Sequence, residues 1–126
     1  GVRVLAVDDD ADSRELMLLN MQTAGAEVLA VGSGSAALDA LESFSPHVIV
    51  ADIAMPEIDG FELMRRVVER AGAGAPRGIA LSAYASIEDA QRAREAGFAL
   101  HFGKPADYPA LVRSVAELAG LMSDSR

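Results

Sequence analysis

Apolar and polar residues alternate along this 126-residue chain in two kinds of segment. Short β-branched runs are followed by longer stretches whose apolar residues recur three and four apart, the spacing of a helix face. Residues 2–7 read as a buried strand ended by Asp8, Asp9 and Asp10, and 11–24 as a helix stopped by Gly25. Residues 27–31 form a second strand. Residues 35–44 form a helix with Ala37, Leu38 and Leu41 on one face, closed by Pro46. A third strand spans 47–51, and an irregular loop with Met55-Pro56 spans 52–59. Phe61, Met64, Val67 and Val68 give 61–71 a helical face, and 72–76 are a flexible connection rather than a domain boundary. The pattern then resumes with a strand over 78–82, a helix over 87–96 capped by Gly97, and a strand over 98–102. In the last helix Tyr108, Leu111, Val112, Val115, Leu118 and Ala119 share a buried face.

Five near-continuous apolar strands, each followed by a helix long enough to serve as a crossover, predict a parallel sheet covered on both faces. The expected fold is a flavodoxin-like, doubly wound (βα)5 sheet of order 2-1-3-4-5, forming a single domain over 1–126 with its core over about 2–121. The length suits one hydrophobic core.

Composition removes several function classes. There are no cysteines, hence no disulfides, thiolate metal sites or cysteine nucleophiles. A formal net charge of −8 argues against nucleic acid as a direct ligand. No apolar run approaches the ~20 residues of a membrane-spanning helix, and the N-terminal run is too short for a signal peptide. The expectation is a cytoplasmic domain without membrane contact. It would stand alone or be a piece of a longer chain, with its oligomeric state open.

In an open α/β sheet the ligand site lies beyond the carboxyl ends of the strands, where strand order reverses. The residues falling there are Asp8 and Asp9 after the first strand, Asp52 after the third, Ser82 after the fourth, and Lys104-Pro105 after the fifth. Three carboxylates brought together repel unless neutralised. With no His or Cys among them, a hard ion such as Mg²⁺ suits them best. Lys104 offers a compact cation and Ser82 a hydroxyl, both suited to phosphoryl oxygens, with a carboxylate as nucleophile.

The ordered set Val7-Asp8-Asp9-Asp10, Asp52-Ile53-Ala54-Met55-Pro56 with Asp59-Gly60, Leu81-Ser82-Ala83 and Lys104-Pro105 resembles the receiver domain of response regulators and hybrid histidine kinases. The spacing matches too: 43 residues from Asp9 to Asp52, 30 more to Ser82 and 22 more to Lys104. The wording of 52–67 and 79–104 is most like the receivers of hybrid sensor histidine kinases. The resemblance implies Asp52 as phosphoacceptor, and Asp8, Asp9, Asp52 and the Ala54 carbonyl as Mg²⁺ ligands. It further implies Ser82 as the switch hydroxyl, Lys104 as its cationic partner, and a cis bond before Pro105. His101 stands where the family usually has an aromatic switch residue, and its imidazole would give the switch sensitivity between about pH 6 and 8. The implied partner is a histidine kinase or histidine phosphotransfer domain. Ala54 and Tyr84 occupy positions that tune phosphoryl lifetime; neither orients an attacking water, which points to slow self-hydrolysis.

Two further functions compete with the phosphorylatable switch. One is a degenerate receiver that only docks proteins, against which the complete reactive set counts. The other is a phosphatase, which needs a second acid and a capping insertion that the sequence lacks. In the first helix Leu16, Met17, Asn20, Met21 and Ala24 share an arc and leave Leu18 and Leu19 outside it. These two leucines are therefore candidates for docking a partner helix.

Overall fold

The computed structural model describes residues 1–83 and 86–124, with the side chains of the last helix described as far as residue 120. Five strands, β1 (Arg3–Val7), β2 (Glu27–Val31), β3 (Val48–Asp52), β4 (Arg77–Ser82) and β5 (Leu100–Gly103), make one parallel sheet of order β2-β1-β3-β4-β5. Helices α1 (Ala11–Thr23), α2 (Gly34–Phe44), α3 (Gly60–Ala71), α4 (Ile87–Ala96) and α5 (Tyr108–Asp124) alternate with them. This is the flavodoxin-like arrangement expected from the pattern.

Strand pleating divides the core in two. Leu5 and Val7 of β1 and Ile49 and Ala51 of β3 point to one face, where they pack with Phe61, Leu63, Met64 and Val67 of α3 and Ala93 of α4. Their neighbours Val4, Ala6, Val48 and Val50 point to the other face, against Met17 and Met21 of α1 and Leu111 and Val115 of α5. Because both faces are covered, the strands read as continuous apolar runs rather than alternating ones.

Polar side chains set where the helices begin. Asp10, Ser33, Asp59 and Ser86 each accept a hydrogen bond from the backbone amide three residues on, at 2.8–3.1 Å. Gly97, at φ 115°, ends α4: its amide bonds the Arg94 carbonyl and the Phe98 amide bonds the Ala93 carbonyl. Phe98 therefore belongs to the helix stop, and β5 begins at Leu100 instead of at Phe98. Asp52 is the last residue of β3 rather than the first of the loop, since it pairs with Leu81 and the Ile53 amide continues onto the Leu81 carbonyl at 2.9 Å. The expected flexible connection after α3 instead contains a 3-10 turn, Gly72–Gly74.

The packed face of α1 differs from the expected arc. Met17 and Met21 are its centre, while Leu16 and Leu19 are 51% and 52% exposed. Leu18 is half-buried and Ala24 exposed. The buried positions 17 and 21 and the half-buried positions 14 and 18 follow the i, i+3, i+4, i+7 rule, rotated from the arc that began at Leu16. Among the described residues no helix is long and apolar enough to cross a membrane.

Candidate functional site

Strand order reverses between β1 and β3, and the carboxylates collect at the carboxyl ends of those two strands. Asp8 follows β1 and is fully buried; Asp52 ends β3 and is 6% exposed; Asp9 faces solvent. One carboxylate oxygen from each of Asp8, Asp9 and Asp52 lies within 4.8 Å of the others. Lys104, just beyond β5, reaches across to both buried acids, with Nζ 3.2 Å from Asp8 Oδ2 and 3.1 Å from Asp52 Oδ2.

Backbone bonds hold these groups in place. The Asp8 amide donates to the Val31 carbonyl at 3.2 Å, and the Asp10 amide closes onto Asp8 Oδ1 at 2.9 Å. The Lys104 amide donates to the Ser82 carbonyl at 2.8 Å, tying the ends of β4 and β5 together. The Lys104–Pro105 bond is cis, as the resemblance implied. Ala54 donates its amide to Asp52 Oδ1 at a long 3.4 Å.

Burial is the largest influence on Asp52 and pushes its pKa up; the hydrogen bond and charge of Lys104 oppose this without cancelling it, and Asp8 adds to the rise. On Lys104 burial works against the charge, but Asp52 and Asp8 outweigh it and hold the ammonium above its ordinary pKa. Three carboxylates against one lysine leave an uncompensated negative charge in a partly dry site. Such an all-oxygen set, Asp8, Asp9 and Asp52, could hold a hard divalent cation.

The Ser82 hydroxyl lies 2.7 Å from His101 Nε2. Ser82 is buried and His101 half-buried, and both stand on adjacent strands near the acidic cluster. A hydroxyl can donate to a bare imidazole nitrogen or accept from a protonated one, so the direction of this bond follows the tautomer of His101. Tyr84 lies outside the described residues.

Two groups near the site escaped the reading of the sequence. Tyr108 lines a recess of about 140 Å³ with Asp8, Ser13, Leu16, Lys104 and Pro105. Burial first, then the Asp8 charge, pushes its phenol pKa up. Arg14 donates from Nη1 to the Asp8 carbonyl at 2.9 Å. The sequence marked Tyr108 only as an apolar position and Arg14 not at all. A larger recess of about 600 Å³ lies at the opposite end of the sheet around Arg3, His47 and Arg70, away from the carboxylates.

Fold and site together define a small doubly wound α/β protein with a charged centre at the switch point of its sheet. The chain belongs to the response regulator receiver domain family, whose sequence profile matches residues 4–116, and so to two-component signalling. It is 43% identical over 112 residues to a 14.6 kDa protein of Leptolyngbya boryana, covering 89% of this chain and 86% of that one. It is 37% identical over 124 residues to the virulence sensor protein BvgS of Bordetella bronchiseptica, covering 94% of this chain but only 10% of BvgS. Among solved structures, the chemotaxis protein CheY4 of Vibrio cholerae superposes with a TM-score of 0.86 at 27% identity, covering 93% of this chain and 98% of that one. The BeF3-activated DrrB receiver domain superposes with a TM-score of 0.82 at 26% identity, covering 93% and 96%.

Proposed function

We propose that this receiver domain takes a phosphoryl group from a phosphohistidine onto Asp52 in a Mg²⁺-dependent reaction. The observation that carries this reading is the unequal holding of the two buried acids. Asp8 is fully buried, with one oxygen fixed by the Asp10 amide and the other by Lys104. Asp52 is held by Lys104 at one oxygen, while among the described residues the other has only the long contact from Ala54. Burial also raises the pKa of Asp52, which makes its carboxylate a more basic nucleophile than a solvated one.

Asp52 would attack phosphorus and form an acyl-phosphate P–O bond as the P–N bond breaks, the electron pair leaving with the donor imidazole. Bound by Asp8, Asp9, Asp52 and the Ala54 carbonyl, Mg²⁺ would offset charge on the phosphoryl oxygens. Lys104 would shift from Asp52 to a phosphoryl oxygen, and Ser82 would leave His101 for another. The freed imidazole would then change the surface formed by α4, β5 and α5. Catalysis of this kind is confined to the domain's own phosphorylation and dephosphorylation. Incubation with Mg²⁺ and a small phosphodonor should add one phosphoryl group by intact mass. None should appear without Mg²⁺ or in Asp52→Asn. If neither this reaction nor beryllofluoride with Mg²⁺ alters the wild type, the domain is a docking module only.

The donor would be a histidine kinase or histidine phosphotransfer domain seated on α1. Leu16 and Leu19 are half exposed, three residues apart on α1, and Leu16 borders the recess beside Asp8 and Lys104. Leu19 keeps the role the sequence suggested, and Leu16 takes the greater part of that of the half-buried Leu18. A Leu16→Ser, Leu19→Ser variant should accept phosphoryl groups from the histidine-phosphorylated partner about tenfold more slowly, or ~1.4 kcal/mol. Labelling from a small donor should be unchanged. Equal loss with both donors would mean that the leucines support the fold rather than the partner.

A further inference from the structure

We propose that Arg14 is a positioning residue for the metal-binding pair Asp8 and Asp9, and that position 32 is glycine to leave its guanidinium room. The inference rests on the reading of Asp8, Asp9 and Asp52 as the Mg²⁺ site. Only Asp8, Asp9 and Asp10 connect β1 to α1. The Asp8 amide is anchored to β2, and its Oδ1 to the Asp10 amide. The remaining backbone group of Asp8, its carbonyl, is met by Arg14 Nη1 at 2.9 Å. Arg14 therefore ties the first turn of α1 to the residue that leaves β1, fixing the direction in which the acidic pair is presented.

The other wall of the guanidinium is Gly32, the first residue after β2. A Cβ placed there would lie 3.0 Å from Arg14 Nη1 and 3.6 Å from Cζ. The backbone does not call for glycine at this position, since the glycines at positive φ are Gly25, Gly72 and Gly97. Space for the guanidinium is what the missing side chain supplies. An arginine suits the task because its planar fork is rigid and permanently charged.

The sign of the effect separates positioning from charge. Arg14 is a cation beside a cation site, so by Coulomb's law alone its removal would strengthen Mg²⁺ binding. Positioning requires the reverse. Gly32→Ala is the cleaner probe, because it keeps every charge and asks only the far end of a flexible side chain to move.

The test is calorimetric titration of the whole chain with MgCl₂, alongside thermal melts without metal. Arg14→Gln should bind Mg²⁺ about tenfold more weakly, the low end of what loss of a supporting contact does to a metal site. Arg14→Lys should recover part of that loss. Gly32→Ala should weaken binding several-fold with a metal-free melt close to wild type, which keeps the test readable should Arg14→Gln fold poorly. The double variant should bind no more weakly than Arg14→Gln alone, because both changes remove the same contact. Wild-type affinity in Gly32→Ala, or tighter binding in Arg14→Gln, would overturn the positioning role alone. A wild type that binds no Mg²⁺ would overturn the metal site itself, and the inference with it.

Discussion

Lys104→Met should lower the stability of the metal-free domain at pH 7 by about 2 kcal/mol and slow phosphorylation by roughly a hundredfold. The ammonium lies between Asp8 and Asp52, both almost completely buried. Its loss leaves two neighbouring carboxylates without the ammonium that bridges them in a poorly solvated site. Removing one partner from a fully buried pair costs ~3–5 kcal/mol, but a quarter of the Lys104 side chain is exposed and solvent screens part of the interaction. The dependence on pH follows from Asp52, whose pKa is already raised by burial with Lys104 in place. Without that ammonium it rises further. The deficit should therefore shrink as pH falls and the folded state takes up a proton that the unfolded chain binds less tightly. Mg²⁺ binds the folded state and should restore part of the lost stability. Urea denaturation at pH 7 and pH 5, with and without Mg²⁺, reads all of this. A variant as stable as wild type at pH 7 would show that the ion pair contributes nothing net. The loss in rate has a separate origin: Lys104 is the cation that Asp52 would hand to the incoming phosphoryl group.

The lysine shows how far the sequence could be read. Pattern placed Asp8, Asp9, Asp52, Ser82 and Lys104 at the carboxyl ends of their strands, because apolar runs stop where polar residues begin and a parallel sheet brings those stops to one edge. What pattern lacks is direction within an element. Helical period shows that α1 has an apolar face, but the rotation of that face depends on α5 and the sheet, so Leu16 fell on the wrong side of the line and Leu18 only partly outside the packed face. Phe98 reads like strand because it is apolar, whereas its amide completes the stop of α4. Contacts between distant segments are harder still. The recess joining Tyr108 to Ser13 and the seat of Arg14 against Gly32 depend on how turns from different strands meet. Neither has a local signal beyond an unexplained glycine. The bond between Ser82 and His101 joins residues 19 apart, and the resemblance named the two as switch residues without indicating a bond between them.

Gly60 is an unexplained glycine of the same kind, and Gly60→Ala should lower the melting temperature by about 10 °C, corresponding to roughly 3 kcal/mol. A Cβ at Gly60 would stand 2.7 Å from the Asp52 carbonyl oxygen and 2.7 Å from Ile53 Cα. Both are backbone atoms, so no side-chain rotation relieves the overlap, and the expected cost lies at the upper end of that for overpacking. The approach is close because the Gly60 amide donates to the Ile53 carbonyl at 2.9 Å, folding the start of α3 back onto the end of β3. Asp59 beside it caps the same helix through the Glu62 amide at 2.8 Å. The pair Asp59-Gly60 thus sets the height of Asp52 in the site without touching any reacting group. Phosphorylation of Gly60→Ala should therefore be impaired even well below its melting temperature. Gly120→Ala is the matched control, since Gly120 lies in α5 with nothing within 4 Å of its Cβ position. There the same substitution should be neutral or raise stability by up to about 1 kcal/mol through helix propensity. If both variants melt alike, the turn is soft enough to yield, and the position of Asp52 must be held by the sheet and Lys104 alone.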